Sequence, residues 1–271
     1  MKKDLDGIVH KQKRSNVTII FRGGLGNQLF QYANGLGRIK KGDKVAYNDI
    51  WGFLRDKRFR RKFELSSCRP FKFKISIGYC IYLGVYKFSG SLSHLRRLRK
   101  KYDIGYHQIM QQALWTLKSN KNSFLFLSSI HSPSVEGAAL HFRIFNENKN
   151  SKENISTCYL KKVENILRER KIFVLDVYTD NEKIVKTIIN DEDLFRDFEV
   201  FYSGSKTAVL DLRRISRYKY IFLSNSTFSL WVGLVADFLD ERECIIYYPN
   251  ATYTDWRFPR PCFMPGDWVS L

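Results

Sequence analysis

The sequence has little that a disulfide scaffold, a zinc module or a membrane span would need. Its five cysteines (Cys68, Cys80, Cys158, Cys244, Cys262) are odd in number, widely spaced and form no Cys-x-x-C pair. That argues against a disulfide framework or a zinc site and fits a reducing compartment. The first residues, Met1-Lys-Lys-Asp-Leu-Asp, hold no apolar core, so no secretory signal is expected. The most apolar stretch, 220–239, is interrupted by Ser224, Asn225, Ser226, Thr227, Ser229 and Asp237, which makes it a poor bilayer span. The sequon at Asn225 therefore carries no glycosylation meaning. There is no fixed-period repeat, no low-complexity tract, and no zinc-finger, RNP-type or basic-zipper pattern. The expectation is a cytoplasmic protein, peripheral on a membrane at most.

Acidic residues are also scarce. Against 46 Lys+Arg stand 27 Asp+Glu, a formal net charge of +19 over 271 residues. An excess of that size attracts polyanions: nucleic acid, anionic membrane or phosphate-bearing substrates. Residues 51–101 hold fifteen of the basic residues and only Asp56 and Glu64 as acids, with Phe53, Phe59, Phe63, Tyr79 and Tyr82 among the interleaved aromatics. That mixture suits a membrane surface as well as a nucleic acid. The plain alternative is a solvated basic face over an ordinary aromatic core. At 44% hydrophobic and 15% aromatic the chain can bury a sizeable core, so collagen-like and disordered classes are excluded.

Periodicity supplies the fold class. Val17–Phe21 is a β-branched run followed by Gly23-Gly24-Leu25-Gly26, after which Leu29, Phe30, Tyr32, Ala33 and Leu36 recur at helical spacing. Strand, glycine turn and helix open a Rossmann-like unit. Lys44–Tyr47 reads as a strand and 90–130 as largely helical. A new apolar run, Gly137–Phe142, follows the punctuation Ser132-Pro133-Ser134. Beyond it come a helix at Cys158–Arg170, a strand at Lys171–Tyr178 and a helix at Glu182–Asn190. A strand at Glu199–Tyr202, a helix at Leu210–Tyr218 and a strand at Tyr220–Leu223 follow. A helix from Phe228 and a strand at Cys244–Tyr247 complete the alternation. This is the pattern of a doubly wound parallel α/β sheet. The expected division is a polar N-terminus (1–15), a first Rossmann-like domain (16–136) and a second (137–271), with the site in the cleft beyond the strands' carboxyl ends.

Three constellations carry chemistry. Gly24-x-Gly26 allows a sharp turn, and the helix start behind it offers unpaired N–H groups to an anion. It is not a Walker loop, since no Gly-Lys-Ser/Thr follows, and Leu29 stands where a third glycine would complete the dinucleotide fingerprint. Asn27, Gln28 and Gln31 add amides that can bond sugar hydroxyls or orient a nucleophile. Capping alone is the other reading. His141-x-Arg143 lies at a strand end, where an arginine fork matches a phosphate. A core histidine beside a surface arginine is the bland alternative. Ser224-Asn-Ser-Thr-Phe-Ser229 gathers hydroxyls and N–H groups at a helix start, more than a cap requires.

Phe21-Arg-Gly-Gly-Leu-Gly-Asn-Gln-Leu-Phe-Gln-Tyr-Ala33 closely resembles the N-terminal signature of the bacterial α-1,2-fucosyltransferase family (glycosyltransferase family 11). Ile221-Phe-Leu-Ser-Asn-Ser-Thr-Phe-Ser-Leu-Trp231 resembles that family's Asn-Ser-Thr-Phe-Ser-Trp-Trp segment, and Phe173–Asp180 its strand ending in acidic residues. His141-Phe-Arg143 stands where the family carries His-x-Arg-Arg-x-Asp. The resemblance implies a GT-B-like α/β fold, with two Rossmann-like domains facing across a cleft. It implies GDP-fucose as donor, no cofactor and no metal, and inverting transfer to the 2-hydroxyl of a galactose-type acceptor. That acceptor would be a surface polysaccharide such as O-antigen, lipid-diphosphate-linked. Arg143 would pair with the donor pyrophosphate, while Asn225, Ser226 and Thr227 would line the nucleotide site with Gly24, Gly26 and Asp180. Asn27 would close the cleft from the other side. His141 is the nearest candidate base.

The sequence departs from the family at Ile144, Asn146 and Leu230, where a second arginine, an aspartate and a tryptophan are expected. A lost guanidinium removes a charge-assisted contact of about 1.5–3 kcal/mol. Lys149 or Lys152 could replace that charge and Glu147 the carboxylate. Since the related protein O-fucosyltransferases share only the first arginine, one suffices in that kind of site. The block 51–101 then reads as a docking face for the anionic inner membrane. A transferase for another nucleotide sugar is the alternative, and a nucleic-acid-binding protein the rival from a different class.

Overall fold

The computed structural model describes residues 15–48, 63–67, 102–103, 110–143, 153–205, 207–249, 264–265 and 267–271. Two parallel sheets organise it. The first holds β1 (Asn16–Ile20), β2 (Lys44–Asn48) and β3 (Tyr102–Asp103) in the order β2-β1-β3. The second holds six strands in the order β6-β5-β4-β7-β8-β9. They are β4 (Val135–Phe142), β5 (Val174–Thr179), β6 (Glu199–Ser203), β7 (Tyr218–Phe222), β8 (Ile245–Tyr248) and β9 (Val269–Ser270). Every pairing among the described residues is parallel. The α/β class read from the alternation is the one observed.

The helices are α1 (Leu25–Lys40), α2 (Met110–Ser119), α3 (Glu153–Glu169), α4 (Glu182–Asp191), α5 (Ala208–Ile215) and α6 (Thr227–Leu234), with a π turn at Val235–Leu239. One face of the second sheet buries Leu140, Leu175, Val177 and Phe222 against Leu160, Val163 and Leu167 of α3 and Val185 and Ile189 of α4. The opposite face carries Ile221, which belongs to a core shared with Ile19 of β1, Leu29 and Phe30 of α1, and Trp231 and Leu234 of α6. Within it the Trp231 ring sits 5.4 Å from Phe30 and 5.6 Å from Phe124. The two sheets are thus welded by one apolar interior, and α1 lies at its centre.

Several element limits differ from the sequence reading. Tyr102–Asp103 pairs with Thr18 and Ile19 as a strand, inside the stretch expected to be helical. Of that stretch, 110–119 is α2 and 121–127 a 3-10 turn, while 90–101 and 104–109 lie outside the described residues. Strand β5 starts at Val174 because Lys171 closes α3 with a left-handed φ of 56°, and Ile172 N–H bonds back to Leu167 O at 2.9 Å. Glycine is usual in that position. Helix α5 ends at Ile215, and Tyr218 already belongs to β7.

A buried polar clasp ties the connection before β4 to the end of the π turn. The Asp240 carboxylate accepts from Ser128 Oγ (2.6 Å), Ser129 N (2.9 Å) and Ser129 Oγ (2.7 Å). Arg242 donates to the carbonyls of Ser129 (2.6 Å) and Ser132 (3.0 Å) and to Ser134 Oγ (2.8 Å). No helix among the described residues is long and apolar enough to cross a membrane.

Candidate active site

The glycine turn divides its labour differently from the expectation. Gly23 takes the positive φ (81°) that turns the chain after β1, whereas Gly24 is extended and serves as the N-cap of α1 with no side-chain cap. Gly26 has a third task. A Cβ built there would meet Phe228 N and Thr227 C at 2.4 Å, so the first turn of α1 rests directly on the backbone of α6 where that helix begins. Beside the contact, Thr227 Oγ1 donates to Asn27 Oδ1 at 3.1 Å, joining residues 200 positions apart. Two helix N-termini therefore meet. Each carries roughly half a positive charge, and neither has an acid in its first turn. That junction favours an anion, as helix starts do when their N–H groups lack partners within the helix.

The amides after the turn separate into two roles. Gln28 and Gln31 are both fully buried. Gln28 Nε2 donates to Gly23 O (2.8 Å) and its Oε1 accepts from Glu64 N (2.9 Å). Gln31 Oε1 accepts from Arg22 N at 3.0 Å. They fasten the turn from below, while Asn27 reaches across to α6.

The hydroxyl run after β7 also splits. Ser226 caps α6 by accepting from Ser229 N at 3.1 Å. Ser224 and Ser229 place their Oγ atoms 3.1 Å and 2.5 Å from His141 Nδ1, and the Phe228 ring lies 4.7 Å from the imidazole. Burial, and secondarily the neighbouring Arg143 charge, push the His141 pKa down to about 3. The imidazole is thus neutral across ordinary working pH and forms part of a polar, uncharged cluster. Ser229, the last member of the hydroxyl run read as an anion cradle, is instead turned onto the imidazole. Tyr159 carries no such signal in the sequence. From α3 its buried hydroxyl donates to Leu223 O at 2.6 Å and fixes the backbone immediately before Ser224. An aromatic on an amphipathic helix gives no hint of that polar duty.

Strand register brings the remaining residues to the same edge. His141 is paired with Tyr178 and Phe142 with Thr179, so Arg143 and Asp180 emerge side by side beyond β4 and β5. Arg143 Nε lies 3.4 Å from an Asp180 carboxylate oxygen. Asn181 turns away to cap α4, accepting from Ile184 N at 3.2 Å. Of the residues singled out from the sequence, Gly26, Asn27 and Thr227 thus form one junction, His141 a second group with the serines, and Arg143 and Asp180 a third. Ile144, Asn146, Glu147, Lys149 and Lys152 lie outside the described residues, as does nearly all of the 51–101 block.

The neutral histidine makes a testable demand on stability. Unfolded, His141 should titrate near its ordinary value of 6.5, against about 3 when folded. The unfolded chain therefore binds an extra proton between those limits, and acidification through that window removes stability at about 1.4 kcal/mol per pH unit. His141→Gln should flatten the stability–pH slope between pH 6 and 4 by about one proton, read by urea denaturation at each pH. Identical slopes in the two proteins would mean that His141 is not held neutral.

No protein-family model and no curated protein sequence matches the chain. Among solved structures it is similar to POFUT1 in complex with GDP, at 12% identity and a TM-score of 0.39, covering 85% of this chain and 97% of that one. It is also similar to POFUT1 in complex with GDP-fucose, at 10% identity and a TM-score of 0.40, covering 86% and 97%. A likeness this remote carries no argument about activity, and the α/β architecture stands on the strands and helices themselves.

Proposed function

We propose that the chain is an inverting glycosyltransferase that moves L-fucose from GDP-fucose to the 2-hydroxyl of a galactose-type acceptor, as the resemblance to the bacterial α-1,2-fucosyltransferases implies. The observation that carries the reading is the junction of two acid-free helix starts, α1 and α6, on the same edge-facing side as Arg143. A nucleoside diphosphate is an anion suited to that positive concentration. Galactose as acceptor, the linkage and a place in surface-polysaccharide assembly rest on the sequence motifs alone.

In the proposed reaction an acceptor hydroxyl oxygen attacks the fucose anomeric carbon as the bond from that carbon to the diphosphate oxygen breaks. GDP leaves with the electron pair, and the acceptor proton passes to a base. Arg143 and the N–H groups at the two helix starts offset the charge that develops on the diphosphate. Arg143 must exchange part of its contact with Asp180 for the donor. His141, held neutral, orders Ser224 and Ser229 at the helix start; with a pKa of about 3 it is too weak a proton acceptor to be that base.

The primary test is product formation from GDP-fucose and a galactoside in excess EDTA, followed by linkage determination. Activity abolished by EDTA and restored by Mg²⁺ or Mn²⁺ would overturn the metal-free mechanism. Arg143→Ala should lower turnover at least tenfold, with Arg143→Lys intermediate because a lysine keeps the charge and loses the fork. Unchanged kinetics would remove Arg143 from the site. A thermal shift with GDP-mannose or UDP-galactose but none with GDP-fucose would replace the donor assignment.

A further inference from the structure

The surplus charge is confined to one half of the chain. Residues 1–135 contain 27 Lys/Arg and 7 Asp/Glu, whereas residues 136–271 contain 19 and 20. No acid occurs between positions 104 and 135. Within the basic half, the last turn of α1 and the outer face of α2 form a patch that combines charge with exposed apolar bulk. Trp115 is 45% exposed and Ile39 47%. The Lys40 ammonium sits 4.7 Å from the centre of the Trp115 ring, so the two helices present their side chains together. Lys41 follows in the same turn, whereas Lys118, one turn beyond Trp115, is turned onto the Phe238 ring (4.6 Å) beside Asp237 and adds little to the patch. The nearby Asp43 is already engaged by Ser15 N (3.0 Å), Ser15 Oγ (2.9 Å) and Arg38 (3.7 Å).

We propose that this patch docks the protein on an anionic lipid bilayer. Lysines around an exposed tryptophan suit an interface that is negatively charged at its surface and apolar just beneath. A nucleic-acid backbone would satisfy the lysines but offers no apolar layer for Ile39 and Trp115. The patch also sits at the C-terminal end of α1, while the junction with α6 is at its N-terminal end. A 16-residue helix rises about 24 Å, so the patch and the junction lie roughly that far apart along α1 and docking leaves the site uncovered. The inference is independent of the donor chemistry.

The test is co-sedimentation of the full chain with vesicles of phosphatidylcholine alone and of phosphatidylcholine with one quarter phosphatidylglycerol, at 0.1 and 0.5 M NaCl. Binding should require phosphatidylglycerol and weaken with salt. Trp115→Ala and the double change Lys40→Glu, Lys41→Glu should each lower the bound fraction at least fivefold with unchanged melting temperature. Lys161→Glu, on α3 in the neutral half, should bind as the parent does. Equal binding to both vesicles, or undiminished binding by the patch variants, overturns the proposal. So does tight anisotropy-detected binding to a 20-base-pair duplex that the same variants abolish.

Discussion

Gly26→Ala is expected to melt at least about 6 °C below the parent and to lose roughly a hundredfold in turnover. The added methyl has no flexible neighbour to displace, because the atoms at 2.4 Å are backbone N and C of α6. Overpacking typically costs about 1–3 kcal/mol, and a clash with rigid backbone belongs at the upper end; each kcal/mol shifts the melting point of a protein this large by roughly 2–4 °C. The larger effect on turnover follows from geometry. Parting the two helix starts breaks the bond between Thr227 and Asn27 and spoils the convergence of N–H groups, and a displacement near 1 Å can cost on the order of 10²-fold. Gly24→Ala is the matched control. Its Cβ would meet nothing within 4 Å and its φ is −74°, so it should fall within about 0.5 kcal/mol of the parent. If both variants behave alike in calorimetry and in the transferase assay, the two helices do not touch as described.

The second large effect is expected at Asp240. Its side chain is fully buried, and that of Arg242 is only 10% exposed. Asp240→Ala would strip acceptors from Ser128 and Ser129 and leave the guanidinium without its carboxylate, a loss of about 3–5 kcal/mol. Removing both members, as Asp240→Asn with Arg242→Met, should recover part of that, since an unpaired buried charge is costlier than a missing pair. Differential scanning calorimetry of the two variants decides it. A double variant no more stable than Asp240→Ala would mean that the Asp240–Arg242 pairing contributes little.

Much of this fold is legible in the sequence, because the strands are short β-branched runs and the helices carry clear apolar faces. What escapes is punctuated by residues that give no signal. Lys171 ends α3 in a left-handed conformation without being glycine, so the apolar run from Lys171 overstates the strand, which starts at Val174. Nothing between Ile215 and Tyr218 breaks a helix by composition; that boundary is set when Tyr218 joins the sheet beside β4. The site was readable as a set of residue types and unreadable as a division of labour. Asn27, Gln28 and Gln31 are alike in chemistry, yet burial turns two inward and leaves one to cross to α6. The four hydroxyls after β7 likewise separate only when His141 arrives from a strand more than 80 residues upstream.

The shared interior has a consequence for synthesis on the ribosome. Leu29 and Phe30 of α1 are covered by Trp231 and its neighbours, and the contact between Asn27 and Thr227 spans 200 residues. At translation rates of 5–20 residues per second, the first helix waits roughly 10–40 s for the segment that buries it. Throughout that interval the nascent chain exposes the part of the α1 apolar face that meets Trp231, on its most cationic half. Holding chaperones should find their main target there, and the yield of native protein should depend on how fast the second sheet follows.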